Sequence, residues 1–554
     1  MDMNALTKVL ESFFKPAEPR APVPMVMAEH PPKFAGRVAA LASISSRISD
    51  AFMVEQIARV LHGETGSPVL VVELEADEGR AALADWGRVR AGLNGEFGFA
   101  DQVLTVESGL QTLSLRVTRD PVELAGVGAL LTHCRRHFQY VLLRIGAEIP
   151  SGPWLEFLNH SDLAFVLFTP DATDLYSLHL LLRESRAKGD GPTIKPVLCL
   201  SADERVENMD ELVREIGAPV HGFVRESSFN DRNFRADVRR LAREIGRRRV
   251  GLALSSGAAR GLAHIGVIQV LEENGIEVDI VAGCSMGAYV GAVWASGRDG
   301  AEMERLAREV EGRWRWLNLI DPFLVPRRGF MRGERIKHRL QKTIGHAHFS
   351  DLVRPLRVVA THLQTLERVV FASGEVASSV HASSAIPGIC APVRINGETY
   401  IDGGIAEPLP VEVLRELGIE RIIAVNTIPT PAYLRCRWER ERELAGMSTR
   451  RTNPFRAFLN VFNFFAPGNI FSNMLRSIDG AQMRVAEQAC RHADVVLRPL
   501  CFDARWHDFQ HPGKYIALGR EAAIQHLDEI KSLVQRKDPA HEHEPAHHEL
   551  AAVA

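Results

Sequence analysis

From residue 36 to residue 200 the chain repeats one hydrophobic pattern: a short continuous apolar run, a polar break, then apolar positions at helical spacing. The runs are RVAALA (37–42), PVLVVEL (68–74), YVLLRI (140–145), LAFVLF (163–168) and KPVLCL (195–200), with a helix expected from Ala51 to Leu61. A strand that is apolar on both faces must be covered on both, so the pattern predicts a mostly parallel sheet between layers of helices. After RADVRRLAREIGRRR (235–249), which reads as a basic linker helix, the pattern restarts with VGLALSS (250–256), EVDIVAG (277–283), PLRVVATHL (355–363), RVVFASG (368–374) and RIIAVNT (421–427). The expected order is a leader (1–34), an α/β domain (35–234), the linker helix (235–249), a second α/β domain (250–535) and a tail (536–554).

Composition narrows this picture. At 554 residues the chain exceeds what a single core organises, which agrees with two domains. Lys and Arg number 66 against 69 Asp and Glu, so no global charge favours nucleic acid as a partner. The apolar runs fall short of the roughly 20 residues of a membrane-spanning helix, and the N-terminus lacks a secretory pattern. The expected location is the cytoplasm. Seven scattered cysteines without a Cys-x-x-Cys pair suit free thiols, not a disulfide framework or a zinc site. The proline-rich leader reads as mobile, and the His-rich tail as disordered more readily than as a metal site.

Chemistry concentrates in AGCSMGAYVG (282–291). Gly-x-Ser-x-Gly arises by chance in roughly one chain in five of this length, so its context must decide. Gly283-Cys284-Ser285-Met286-Gly287 follows a β-branched run and precedes helical spacing, which is the strand, tight turn and helix that expose a nucleophilic serine. Upstream, LALSSGAARGLAHIG (252–266) joins a strand to a helix through small residues, and the N–H groups of Gly257, Ala258 and Gly261 are candidate oxyanion donors. A phosphate loop is disfavoured there, because neither Gly-Lys-Ser/Thr nor a complete Gly-x-Gly-x-x-Gly is present. Asp402 stands in an Asp-Gly-Gly turn after a short strand. His264 and His381 read as helix or packing residues.

Taken together, LALSSGAARGLAHIGVIQVLEENGI, VAGCSMGAYVGA, VHASSAIPGICAPVRINGETYIDGG and PLPVEVLRELGIERIIAVNT resemble the patatin-like phospholipase family, especially its bacterial, neuropathy-target-esterase-like branch. The resemblance implies a three-layer α/β/α hydrolase domain over 250–535, preceded by the smaller α/β domain with a mostly parallel sheet. It also implies a serine acyl hydrolase with a Ser–Asp dyad and neither metal nor organic cofactor, acting on phospholipid or lysophospholipid esters. Carried over by position, Ser285 matches the nucleophile, Asp402 the base, and Ser255 to Gly261 the oxyanion loop, with the Met286 N–H as a further donor. Gly283, Gly287, Arg260, Gly403 and Gly404 support these motifs. Where relatives read Gly-Gly-Gly-Gly-Ala-Arg-Gly, this chain reads Ser255-Ser256-Gly257-Ala258-Ala259-Arg260-Gly261. Ala at a position needing φ > 0 costs roughly 1 kcal/mol. A catalytically weak interaction or regulatory module is therefore the rival expectation.

The first α/β region resembles the ParA/MinD-like nucleotide-binding fold in its layout. The phosphate loop is lost, however, because Ser43 to Asp50 read Ser-Ile-Ser-Ser-Arg-Ile-Ser-Asp, and Arg144 replaces the expected acid. This implies a degenerate, non-hydrolysing domain with a scaffolding or regulatory role, through which a protein partner could bind; an unrelated doubly wound domain is the alternative. NPFRAFLNVFNFFAPGNIFSNML (453–475) places Phe455, Phe458, Phe462 and Phe465 on one helical face, which is either core or a peripheral contact with the inner face of the membrane.

Overall fold

The computed structural model describes residues 36–76, 104–117, 126–188, 192–226, 231–312, 329–447 and 470–536, with short gaps inside some spans, together with Asp321. The leader, the tail and most of the phenylalanine-rich stretch lie outside the described residues. The chain divides into two compact units that meet in sequence at Arg247 and Arg248.

The first unit contains β1 (Arg37–Ser43), β2 (Val69–Ala76), β3 (Leu104–Glu107), β4 (Leu110–Val117), β5 (Tyr140–Ile145), β6 (Leu163–Phe168), β7 (Ile194–Ser201) and β8 (Gly222–Glu226). These form one eight-stranded sheet in the order β3-β4-β2-β5-β1-β6-β7-β8. Among the described residues of this sheet only the β3–β4 pair is antiparallel. Along β1 the side chains alternate between two apolar clusters: Val38, Ala40 and Ala42 enter one, Ala39 and Leu41 the other. Both faces are covered, as the unbroken apolar runs require.

The basic helix expected as a linker is instead part of this unit. It spans Arg232–Ile245, and Asp231 caps it by accepting the Asn233 N–H at 2.7 Å. Phe234, Val238, Leu241, Ala242 and Ile245 enter the second cluster. The arginine run hides an apolar stripe at helical spacing, and some of its charges pair within the unit: buried Asp237 receives Arg240 and also Arg225 of β8, and Glu64 receives Arg243. This correction puts the division just after the helix instead of across it.

At the start of the first β-to-α connection, the Ser43 hydroxyl donates to Ser45 O at 2.7 Å, and the Ile44 N–H donates to Leu167 O at 3.1 Å. Asp50 opens the helix Asp50–Thr65 and pairs with Arg144 at 3.0 Å, both side chains largely buried. Burial lifts the Asp50 carboxyl, and the Arg144 guanidinium only partly offsets this. Asp50→Ala strands a buried guanidinium that keeps Glu148 as a partner. It is expected to cost the first unit about 2 kcal/mol in a denaturant titration, and Asp50→Ala with Arg144→Leu should recover most of that loss.

The second unit contains β9 (Val250–Leu254), β10 (Ile280–Cys284), β11 (Leu356–His362), β12 (Arg368–Phe371), β13 (Val393–Ile395), β14 (Glu398–Asp402), β15 (Arg421–Val425) and β16 (Val495–Leu497). The sheet order is β13-β14-β11-β10-β9-β15-β16, with β12 also on β11. Leu252, Leu254, Val281 and Val425 pack into one helix-covered cluster, and Ala253, Ala282, Cys284 and Ala424 into the opposite one. The unit is thus a three-layer α/β/α structure.

The register on β11 positions Ser285 and Asp402. The parallel strand β10 ends with Cys284 opposite Val359 of β11. The antiparallel strand β14 arrives from the other direction and ends with Asp402 opposite Ala360. Because β12 holds Val359 and Ala360 from the far side, β10 and β14 share one edge of β11 and meet end to end. The residue after β10 is Ser285, and the last residue of β14 is Asp402.

Candidate active site

Ser285 sits where β10 turns into the helix Met286–Ala295, at φ 54° and ψ −117°, a conformation L-residues adopt only under constraint. Two glycines allow this sharp turn. A Cβ on Gly287 would lie 2.2 Å from Leu254 O, and one on Gly283 would lie 2.6 Å from Gly287 O. The helix therefore starts in backbone contact with β9.

The Ser285 hydroxyl donates to Asp402 Oδ2 at 2.7 Å. The other carboxylate oxygen accepts the Gly404 N–H at 2.7 Å, and the Asp402 N–H donates to Ala385 O at 2.9 Å. Asp402 is 3% exposed, and burial raises its pKa to about 6, against the pull of the Gly404 and Ser285 hydrogen bonds. The carboxyl is thus both desolvated and aligned with the serine. Gly403 packs its Cα against Val359 O, which turns the chain away immediately after the acid.

Beside the pair lies the loop Ser255–Gly261. Of the side chains that replace glycines, the Ser255 hydroxyl accepts the Thr427 N–H at 2.9 Å, while the backbone N–H of Ser256 donates to Pro408 O at 2.8 Å. Within the loop, Ala259 donates its N–H to Trp506 O and Arg260 donates to Gly257 O. Gly261 falls inside the short 3₁₀ turn Ala258–Leu262, where its N–H is directed back along the turn. Gly257, Ala258 and Met286 stand at the starts of their helical segments, so their N–H groups have no carbonyl within those segments to meet. Arg260 is buried, with Nε toward Gly257 O.

Ala258 has φ 48°. Ala258→Gly removes this strain and is expected to raise the stability of the second unit by about 1 kcal/mol, read as the denaturation midpoint at unchanged slope.

Neither histidine touches the Ser–Asp pair in the described contacts. His264 is fully buried with Nε2 on Ser255 O at 2.9 Å, and burial lowers its pKa to about 4. His381 places Nε2 on Arg332 O at 3.2 Å. Ser383 received no role from sequence reasoning, yet its hydroxyl accepts the Ser285 N–H at 2.8 Å and donates to Val359 O at 2.6 Å. The small-residue run HASSAIPG was visible, but nothing in it distinguished one serine from the other. Among the described residues no cluster of His, Cys, Asp or Glu is arranged to hold a metal ion.

Residues 252–415 match the family model of patatin-like phospholipases. This patatin-like region holds Ser285, Asp402 and the loop before them. The chain is 33% identical over 244 residues to Lysophospholipase NTE1 of Pyricularia oryzae, a match covering 43% of this chain and 15% of that protein. It is 40% identical over 178 residues to an uncharacterized NTE family protein of Mycobacterium bovis, covering 32% of this chain and 49% of the relative. The chain thus spans about half the length of the mycobacterial relative and much less of the fungal one. Among solved structures, a ParA family ATPase from Chlorobium tepidum is similar over 38% of this chain and 92% of its own, at 18% identity and TM-score 0.31. Among the described residues no helix is long and apolar enough to cross a membrane.

Proposed function

We propose that the patatin-like region is a serine acyl hydrolase that cleaves phospholipid or lysophospholipid esters. The observation that carries this reading is the buried Ser285 Oγ donating to Asp402 Oδ2 at 2.7 Å. In a buried setting a carboxylate with pKa about 6 is ionised at neutral pH and more basic than one in water. Asp402 takes the hydroxyl proton as Ser285 Oγ attacks the ester carbonyl. The N–H groups of Gly257, Ala258 and Met286 hold the oxyanion in this reading. The alcohol leaves with the proton from Asp402, and water cleaves the acyl-enzyme by the same route in reverse.

The lipid substrate is supported by the family model and by relatives named as lysophospholipases. Peripheral contact with a membrane through 453–475, at its inner face, and a protein partner for the first unit belong to the proposal as expectations. The rival, a catalytically weak interaction module, draws support from the strained Ala258 in the loop.

The test is fatty-acid release by the full chain from lysophosphatidylcholine and from a short-chain chromogenic ester. The proposal expects turnover of both. Turnover of the short ester alone keeps the hydrolase and removes the lipid substrate, whereas a folded protein inert toward both leaves the rival standing.

A further inference from the structure

We propose that Ser383 is a positioning residue for the dyad: its hydroxyl is spliced into the β10–β11 ladder at the point where β10 departs, which fixes Ser285 and leaves room for Asp402. This inference rests on the hydrolase reading above. In a parallel ladder the N–H of every second residue reaches the carbonyl that precedes its opposite number. Val281 obeys this rule, being opposite Leu356 and donating to Pro355 O at 3.0 Å. Counting two residues at a time, Gly283 is due to reach Arg357 O and Ser285 to reach Val359 O.

The last of these bonds is not made directly. The Ser285 N–H meets Ser383 Oγ at 2.8 Å, and the same hydroxyl passes its own hydrogen to Val359 O at 2.6 Å. One oxygen atom has been inserted into the expected hydrogen bond. The insertion holds Ser285 away from the edge of β11, while its N–H and the Val359 carbonyl both remain satisfied in a fully buried place. The space opened opposite Ala360 is the one Asp402 occupies.

The segment that supplies the hydroxyl also holds the acid. Ser383 ends the helix Val376–Ser383, and two residues later Ala385 O accepts the Asp402 N–H at 2.9 Å. A single short stretch therefore ties down both reacting side chains through their backbones. Thr361 completes the frame by donating its hydroxyl to Asp402 O at 3.0 Å. Ser383 touches no reacting atom, so its effect on the chemistry runs through the 2.7 Å contact between Ser285 and Asp402.

A loose Ser285 weakens that contact, and the contact favours the ionised carboxyl. The Ser383→Ala variant should then need a higher pH to ionise Asp402. The thiols of Cys284 and Cys390 are both pushed up, first by burial and then by the Asp402 charge, and stay protonated through the acid limb.

The experiment compares wild type, Ser383→Ala, Ser383→Thr and Ser378→Ala in the full chain, using a short-chain ester and samples first shown to be folded by circular dichroism. Ser378 lies on the same helix, but its hydroxyl goes to Glu375. It controls for loss of a serine oxygen from that element. Ser383→Ala is expected to lower kcat by about 10- to 100-fold at nearly constant KM and to move the acid limb of kcat upward in pH. Ser383→Thr, which keeps the oxygen, should regain activity relative to Ser383→Ala, and Ser378→Ala should match wild type. Wild-type kcat and an unmoved acid limb in folded Ser383→Ala overturn the inference and leave the hydrolase reading intact. A wild type that neither turns over nor reacts with a fluorophosphonate brings down the hydrolase reading, and this inference with it.

Discussion

Ser285→Ala is expected to reduce ester hydrolysis to background, a loss of about 1,000-fold or more, and Asp402→Asn should fall nearly as far. The two side chains act as one unit, so the double variant should lose little more than either alone. An amide at position 402 can still hold the geometry, since it can accept from Gly404 and donate to Ser285, but it cannot take the proton. The pH dependence is set by the same carboxyl. The base must be ionised, and its pKa is raised to about 6, so kcat should be level above that pH and fall as pH drops through it.

Stability should move the opposite way. A carboxyl raised in the folded state contributes fully below its unfolded pKa of about 4, and that contribution is lost as pH rises through about 6. At pH 8 the buried carboxylate therefore costs the second unit about 2–3 kcal/mol, which Asp402→Asn should return as a higher melting temperature. At pH 4 the gain should vanish. An inactive variant that is more stable than wild type only at high pH is hard to obtain from a general packing defect.

The second large effect is steric. Gly287→Ala places a Cβ 2.2 Å from Leu254 O and 2.6 Å from Ser255 O, both backbone atoms of β9 and the loop after it. Neither can swing aside as a side chain would. The helix Met286–Ala295 must lift off the sheet, carrying Ser285 with it, at an expected cost of about 4 kcal/mol or more. The measurement is a denaturant titration of the second unit alongside Gly480→Ala. Gly480 also lies in a helix, but its added Cβ would meet nothing within 4 Å. There the ordinary helical preference for Ala should show as a gain of about 0.5–1 kcal/mol. Opposite signs for one chemical change at two helical glycines isolate the close approach as the cause.

Much of this architecture was legible in the residues because burial writes it there. Short apolar runs bounded by polar breaks, such as LAFVLF and YVLLRI, fit strands covered on both faces, and they are β6 and β5. The serine turn was readable because only a strand, two glycines and a helix accommodate such a backbone. Other features were hidden for physical reasons. In the helix Arg232–Ile245 the arginines dominate the composition, and the apolar stripe beneath them emerges only when residues are counted at helical spacing. Ala258 carried a conformational signal, since Ala at positive φ stands out beside glycine-rich relatives, and it has φ 48°. Ser383 carried none. Its role depends on a strand register 24 residues away along the chain, at Val359. No local pattern encodes a hydroxyl inserted in a ladder between distant segments. Asp402 was found through a turn motif and a resemblance; the end-to-end meeting of β10 and β14 that brings it to Ser285 is a property of the sheet.

The most direct measurement is mass-spectrometric mapping of the full chain after treatment with a fluorophosphonate ester at pH 8. A working dyad predicts one adduct, on Ser285 within the tryptic peptide Gly261–Arg298, with labelling strongly slowed in Asp402→Asn and absent in Ser285→Ala. A folded wild type that takes up no label, or takes it up equally with and without Asp402, contradicts a Ser285–Asp402 nucleophile.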